Sequence, residues 1–525
     1  MSTAAAQQTV TVLDRHPLQK SFVVVSIMLA TIMQALDTTI ANVALPHMQG
    51  ALSATQEQIS WVLTSYIVSA AIMTAPTGIL AARLGRRKLF LISVIGFTIA
   101  SMLCGIAQTL PEMVVFRLLQ GVFGAGLIPL SQAVLLDINP PEKHGQAMAM
   151  WGVGVMLGPI LGPTLGGWLT EYYDWRWVFF INLPIGIVAT FGMVAFMPET
   201  PKDNTRKFDL AGFIYLAMFV FGIQMMLDRG ETLDWFSSNE IIIEGVIAIF
   251  GLYLFVVHLL TAKRPFFEPA MFADRNYAVA LVFIFLIGII LLSTMALLPP
   301  YLQNLMGYPV ITTGEVLAPR GVGTMLSMML AGKLLARKVD VRYMITAGLL
   351  LTAYSLYEMS LFNLEITEGI LTRTGLIQGF GMGLVFVPLS TIAYATLPGR
   401  YRNDATSVFS LVRNIGSSIG IAVMIALAAR YTQINHEELV GRLSPLGMPA
   451  TMLHALPGQI MNMQTAQGLA MLNSEVTRQS AAIAYLNDFR LMMYVVLAAL
   501  PLLLLMRTPK KTKEPMVEQA VAALE

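Results

Sequence analysis

Apolar runs of roughly 20 residues, separated by short clusters of charge, make up most of this chain, and a helix of that length crosses a hydrocarbon core. Hydropathy predicts about 14 such spans, at residues 21–45, 58–82, 89–108, 112–134, 145–169, 176–197, 209–229, 240–260, 275–300, 312–336, 343–362, 369–392, 404–429 and 483–506. The runs 209–229 and 240–260 are the weakest, because Asp228, Arg229, Glu240 and Glu244 crowd their outer ends. The segment 430–482 is rich in Met, Gln and Asn and holds no 20-residue apolar run. Two structures suit it: an amphipathic helix on the membrane surface, or a flexible loop.

Basic residues orient the spans. Arg83, Arg86, Arg87 and Lys88 follow span two, Lys143 follows span four, and Lys202, Arg206 and Lys207 follow span six. Lys263 and Arg264, Arg337 and Lys338, Arg400 and Arg402, and the tail lysines 510, 511 and 513 continue the alternation. The loops 46–57 and 301–311 carry no Lys or Arg. The positive-inside rule then places both termini in the cytoplasm. Residues 1–20 show no cleavable signal pattern, so the first run reads as a retained signal anchor.

Composition excludes several classes. Of 525 residues, 56% are hydrophobic and 12% charged, against about 25% charged in soluble domains. A net charge of +2 gives no footprint for nucleic acid. The single cysteine, Cys104, excludes an intrachain disulfide. Gly416-x-Ser418-x-Gly420 has the spacing of a nucleophile elbow but lies in a helical apolar run, whereas the elbow needs a preceding strand. His436-Glu437 lacks the second His of a metalloprotease motif, and no Gly-Lys-Ser/Thr phosphate loop is present. No enzyme activity, cofactor or metal is expected.

The chain repeats itself. Gly78-x-Leu-Ala-x-Arg83 is echoed by Gly332-x-Leu-Leu-x-Arg337, and Leu45-Pro46 by Leu298-Pro299. Gln120-Gly121, Gly124, Gly126 and Pro129-Leu-Ser131 return as Gln378-Gly379, Gly381, Gly383 and Pro388-Leu-Ser390. Such duplication marks secondary transporters. The expected fold is all-α and polytopic: a six-helix bundle in 1–200, two inserted spans with linkers in 201–270, and a second six-helix bundle in 271–525 that carries the extended 430–482 segment.

Four motifs carry a family resemblance. Leu36-Asp37-Thr-Thr-Ile-Ala-Asn42-Val-Ala-Leu-Pro46 closes span one. Gly154, Gly158-Pro159, Gly162-Pro163 and Gly166-Gly167 punctuate span five. Trp175-Arg-Trp-Val-Phe-Phe-Ile-Asn182-Leu-Pro184-Ile-Gly186 opens span six, and Gly78, Arg83, Gly85, Arg86 and Arg87 mark the loop after span two. Together these resemble the major facilitator superfamily, and within it the 14-span drug:proton antiporters of Emr/Qac type. The resemblance implies multidrug efflux by alternating access, residence in the cell inner membrane and, in a Gram-negative cell, a periplasmic adaptor and an outer-membrane channel. One departure stands out: Ala82 occupies the position where the superfamily's loop motif usually has Asp. That substitution puts the loop's charge relay in doubt.

Asp37 is the sharpest candidate, as the only ionisable residue between Ser21 and Leu45. A charged carboxylate inside a span costs roughly 2–4 kcal/mol on insertion scales. Gaining and losing a proton there is cheap relative to holding a bare charge, which suits a coupling site. The alternative is a structural acid bonded to neighbouring Thr or Asn. For Arg117 the resemblance implies a part in proton transfer, and the alternative is snorkelling to the headgroups. Gln34, Asn42, Trp61, Tyr66, Gln120 and Arg320 are candidate substrate-cavity residues. Arg413 is a further intramembrane cation, and Glu358 an acid that either pairs with such a cation or reaches the outer surface. Gly158, Gly162 and Gly166 present one smooth helix face, expected to act as a moving seam between the two halves. The 34 methionines suit a pocket for varied apolar ligands. The alternatives to multidrug efflux are export of one metabolite, lipid or siderophore, solute:proton symport, and a non-transporting receptor.

Overall fold

In the computed structural model, which describes residues 17–140, 143–200, 202, 208–398, 401–443 and 466–507, every regular element is helical. Glycines and prolines set the joints. Span one is α1 (Pro17–Ala51), and span two is broken into α2 (Trp61–Thr74) and α3 (Thr77–Leu84), bent by 57°. Gly85, at φ +86°, makes the sharp turn into α4 (Arg86–Ile106), a conformation that favours glycine. Span four is α5 (Leu110–Gly124) continued by α6 (Leu127–Asp137), and Thr109 with Glu112 closes a capping box at its start. Span five is α7 (His144–Tyr172); span six is α8 (Trp177–Phe180) and α9 (Asn182–Phe196).

The inserted pair is α10 (Leu210–Arg229) and α11 (Asn239–Thr261). Of the charges that weakened these spans in the sequence, Arg229 bonds Glu240 at 2.6 Å and Glu244 at 3.1 Å, while Asp228 accepts from the Thr64 hydroxyl. Gly222 and Gly251 let the two backbones touch, since a Cβ at Gly222 would lie 2.6 Å from the Glu244 carbonyl oxygen. Helix α10 packs on α2 and, from the other side, on the fifth helix of the second half.

That second half comprises α12 (Arg275–Pro300, ending in a π-helical turn, Tyr301–Leu305), α13 (Val310–Ala336), α14 (Val341–Met359), α15 (Glu368–Ala395), α16 (Arg402–Leu443) and α17 (Ala466–Ala499). Among the described residues, eleven helices are long and apolar enough to cross a membrane, or twelve when the bent α2–α3 pair counts as one. Helices α13 and α14, of 27 and 19 residues, pack in the same bundle at the positions of the two remaining runs read from hydropathy. The protein is a multi-pass membrane protein.

The segment beyond span thirteen differs from both expectations. Residues 430–443 continue α16 without a break, and 466–482 form the first half of α17. The two ends pack as an antiparallel pair, with the Asn435 amide donating to the Ser480 carbonyl and His436 bonding Asn473. Paired polar faces hold these helices where no apolar run predicts them. Residues 444–465 lie outside the described residues.

Between the halves, α7 lies along α13, and α16 crosses α2, α3 and α6. The α7–α13 contact is made by Gly145 on Leu335, Gly152 on Met328 and Ile160 on Gly321. Trp151 stacks on Phe386 at 5.8 Å and donates to Ser131.

Candidate functional site

Five helices of the first half bring polar side chains to one buried point. Asp37, on α1, is 0% exposed, and Arg117, on α5, is 1% exposed. Arg117 Nη1 donates to Asp37 Oδ2 at 2.8 Å and to Gln120 Oε1 at 2.7 Å; its Nε donates to the Val62 carbonyl on α2 at 3.0 Å. Its guanidinium lies 4.3 Å from the centre of the Tyr66 ring. The Gln120 amide donates to Asp37 Oδ1 at 2.8 Å, and Asn182 Nδ2, on α9, donates to the same oxygen at 3.1 Å. Asn182 also bonds Ser101 on α4, and the Cys104 thiol donates to Gln120.

The physics of this cluster is that of a satisfied ion pair. Asp37 accepts three hydrogen bonds, so both of its oxygens are satisfied by protein groups. Arg117 is turned inward, away from the headgroups, with a carboxylate, an amide and a carbonyl around it. A proton arriving at Asp37 would cancel the ion pair and leave a buried guanidinium without its counter-charge, which is strongly unfavourable in a dry site. Protonation therefore has a structural consequence spread over α1, α2, α4, α5 and α9.

The other candidates divide. Gln34 and Tyr66 are buried beside this region. Asn42 is exposed on α1, and Trp61 is 44% exposed at the start of α2, apart from the buried cluster. Arg320 is 6% exposed in the second half, and its hydrogen bond goes to the Leu291 carbonyl at 3.2 Å. No carboxylate pairs with Arg320 or Arg413 among the described residues. Glu358 is taken by Arg373 at 2.7 Å and Thr374 at 3.0 Å.

The glycine face of α7 sits elsewhere than expected. Gly158 meets Ala35, Gly162 meets Thr39 and Gly166 meets Ile40, all on α1 of the same half. Thr39 also donates to the Gly158 carbonyl at 3.1 Å. The smooth face thus seats α1, which carries Asp37, while the contact with the second half uses the opposite side of α7. Gly154 faces Met28, also on α1, and Gly167 faces open space. The helix runs unbroken through Pro159 and Pro163.

On the basic face the loop motif locks the halves together. Arg86 pairs with Asp137 at the end of α6 and donates to Asn403 on α16 at 2.7 Å. Arg402 of α16 bonds the same Asp137 at 2.9 Å. Gly78 is pressed against α16: a Cβ there would lie 2.9 Å from Asp404 Cα. With Ala82 in the usual acid position, Asp137 and Asp404 are the acids in this joint. Arg87 donates to the Val194 carbonyl, and Arg83 is exposed. Sequence reasoning passed over Asp137, Asn403 and Asp404. It quoted Asn182 within a motif without assigning it to the Asp37 site.

Comparisons place these features among known proteins. A model of the Major Facilitator Superfamily matches residues 27–421. The chain is 34% identical over 503 residues to the fatty acid resistance protein FarB of Neisseria gonorrhoeae, covering 95% of this chain and 98% of the relative. It is 35% identical to the multidrug export protein EmrB of Escherichia coli, covering 88% and 90%. The crystal structure of the human organic anion transporter MFSD10 (TETRAN) aligns with a TM-score of 0.60 at 15% identity, covering 93% of this chain and 100% of that one, a likeness of fold.

Proposed function

The chain belongs to the major facilitator superfamily, and from that premise we propose that it exports lipophilic or amphipathic small molecules in exchange for protons. It is a membrane transporter of small molecules rather than an enzyme. The observation that carries the proton coupling is the buried Asp37–Arg117 pair, which joins α1 to α5 and is bonded to α2 and α9. The name of the relative EmrB, a multidrug export protein, supports the direction, outward.

In the proposed cycle the basic face is cytoplasmic, as the distribution of Lys and Arg supports. It is closed here by Arg86, Asp137, Arg402 and Asn403. A proton from the opposite side neutralises Asp37, Arg117 loses its counter-charge, and the spans around it shift. The joint on the basic face then opens, the proton leaves to the cytoplasm, and substrate binds in its place. Gln34, Asn42, Tyr66 and Gln120 belong to the substrate path in this reading, with Trp61 at its outer end. The setting is the cell inner membrane, with both termini cytoplasmic. In a Gram-negative cell a periplasmic adaptor and an outer-membrane channel complete the route, which co-purification of the full chain tests.

Purified protein in proteoliposomes, given an inward proton gradient, should drive efflux of compounds identified by a resistance screen in an efflux-deficient host. Gradient-independent behaviour for every such compound sinks the reading. A second, narrower substrate class is favoured by one observation. Arg320 and Arg413 are guanidinium groups within the second half that no carboxylate neutralises, which suits a lipophilic anion. Arg320→Gln should then weaken transport of long-chain carboxylates and leave lipophilic cations unaffected; equal loss for both removes this reading.

A further inference from the structure

The second half buries a carboxylate that the mechanism above does not use. Asp488, on α17, is 1% exposed, and neither of its oxygens has a hydrogen-bond partner among the described residues. The ionisable group nearest it on its own helix is a phenol rather than a cation. Tyr485 lies one turn earlier on the same face. Its ring meets that of Tyr301 edge-on at 5.8 Å. Tyr301 is fully buried, packs on Phe362, and its hydroxyl also has no partner.

The neighbouring elements supply no counter-charge. On α17 itself, Arg478 is held by Glu475 and the Leu305 carbonyl, and Arg490 is exposed. On α14, Glu358 is taken by Arg373 and Thr374. On α16, Arg430 is exposed. From α12, the ionisable group presented is Tyr301. A bare carboxylate held without a partner costs far more than a neutral carboxyl in the same place. The low-energy species at Asp488 in this conformation is the acid.

The surroundings are also irregular. Pro299 and Pro300 end α12, and Tyr301 opens a π-helical turn. Such turns occur often at functional sites. The ring of Tyr301 on this turn meets Tyr485, the neighbour of Asp488 on α17. The sixth span of each half therefore carries a buried polar residue near its outer end: Asn182, which serves the proton site, and Asp488.

We propose that Asp488, with Tyr485 one turn away on its helix, is a second proton-binding site of the transporter, loaded in the conformation closed at the basic face and unloaded in the alternate one. The step is a simple protonation: one proton from the opposite side joins the carboxylate, and one proton leaves to the cytoplasm. Its transport role rests on the proposed antiport. The bound proton itself does not.

Two measurements test it. Infrared spectra of the purified full chain at neutral pH should show a protonated-carboxyl band that shifts in heavy water and is lost in Asp488→Asn. Asp488→Leu, which is apolar like its surroundings, serves if the Asn variant misfolds. Spectra of these variants that superimpose on wild type overturn the site. In proteoliposomes, protons moved per substrate molecule should fall by one in Asp488→Asn. An unchanged ratio overturns its part in transport. Failure of gradient-driven efflux in the wild type strikes the antiport reading instead and leaves the infrared result standing.

Discussion

Asp37→Asn tests the central ion pair directly. The substitution keeps the shape and one acceptor oxygen but removes the charge that faces Arg117. At 2.8 Å and an effective dielectric constant of about 20, two unit charges attract by about 6 kcal/mol. Desolvation offsets much of that, so removal of one partner is expected to cost about 3–5 kcal/mol, mostly from the stranded guanidinium. Arg117 keeps the Val62 carbonyl and Gln120, which places the expected loss at the lower end. Two assays follow. Thermal denaturation in detergent should show a lowered midpoint for Asp37→Asn and partial recovery in Asp37→Asn/Arg117→Gln, with a coupling of about 3 kcal/mol in the cycle. Efflux from proteoliposomes should lose its dependence on the proton gradient, falling on the order of 100-fold. If the single variant transports like wild type under a gradient, the pair is structural and the mechanism is wrong. If the double variant is no more stable than the single, the pair is not the unit described here.

Other perturbations separate scaffold from gate. Gly162→Val drives two methyl groups into Thr39 on α1; about 1–3 kcal/mol of destabilisation is expected, read as a lower denaturation midpoint and a loss of gradient-driven export. Asp137→Asn removes the acid shared by Arg86 and Arg402, two charged contacts of roughly 1.5–3 kcal/mol each. The share of molecules open at the basic face should rise at least tenfold, measured as thiol labelling of a cysteine placed at the buried Ser407. Unchanged labelling would mean that the joint does not hold the halves.

The fold was legible because membranes impose a length. Twenty apolar residues and alternating basic loops suffice to place most spans, and the repeat supplies their grouping. The helical ends at 430–443 and 466–482 escaped, because outside the hydrocarbon a helix is held by its neighbour, and Asn435 meeting Ser480 has no local signature. The same limit applies to the site. Asp37 stood out as a lone acid in an apolar run, and Arg117 as a lone base. That they touch, across 80 positions of sequence, depends on α1 lying against the glycine face of α7 and on α5 lying against α2. Ala82 showed only that the loop motif's usual acid is absent. Its functional neighbours, Asp137 and Asp404, are distant in sequence and ordinary in context. Asp488 drew no notice because one acid at the head of an apolar run looks like a helix end; burial alone reveals it.

The repeat also exposes an asymmetry that sets the sign of coupling. Gln120 donates to Asp37, whereas its counterpart Gln378 donates to Thr294 at 3.3 Å. Gly121 lies under Tyr66, whereas Gly379 lies under Arg320. The first half thus balances its buried charge, and the second carries an excess of positive charge at Arg320 and Arg413. A proton on Asp37 leaves Arg117 uncompensated, so the loaded first half becomes positive as well. A lipophilic cation is then repelled, and its affinity should fall when a proton occupies Asp37, the linkage that makes proton and substrate exclude each other. A lipophilic anion is attracted under the same conditions, and its affinity should rise. Binding of one probe of each charge, an ethidium-like cation and a long-chain carboxylate, measured across pH in detergent, distinguishes these cases. A cation whose affinity climbs on acidification would refute competition at Asp37 as the source of antiport for cations, and an anion whose affinity rises would require its exchange to be coupled elsewhere than at Asp37.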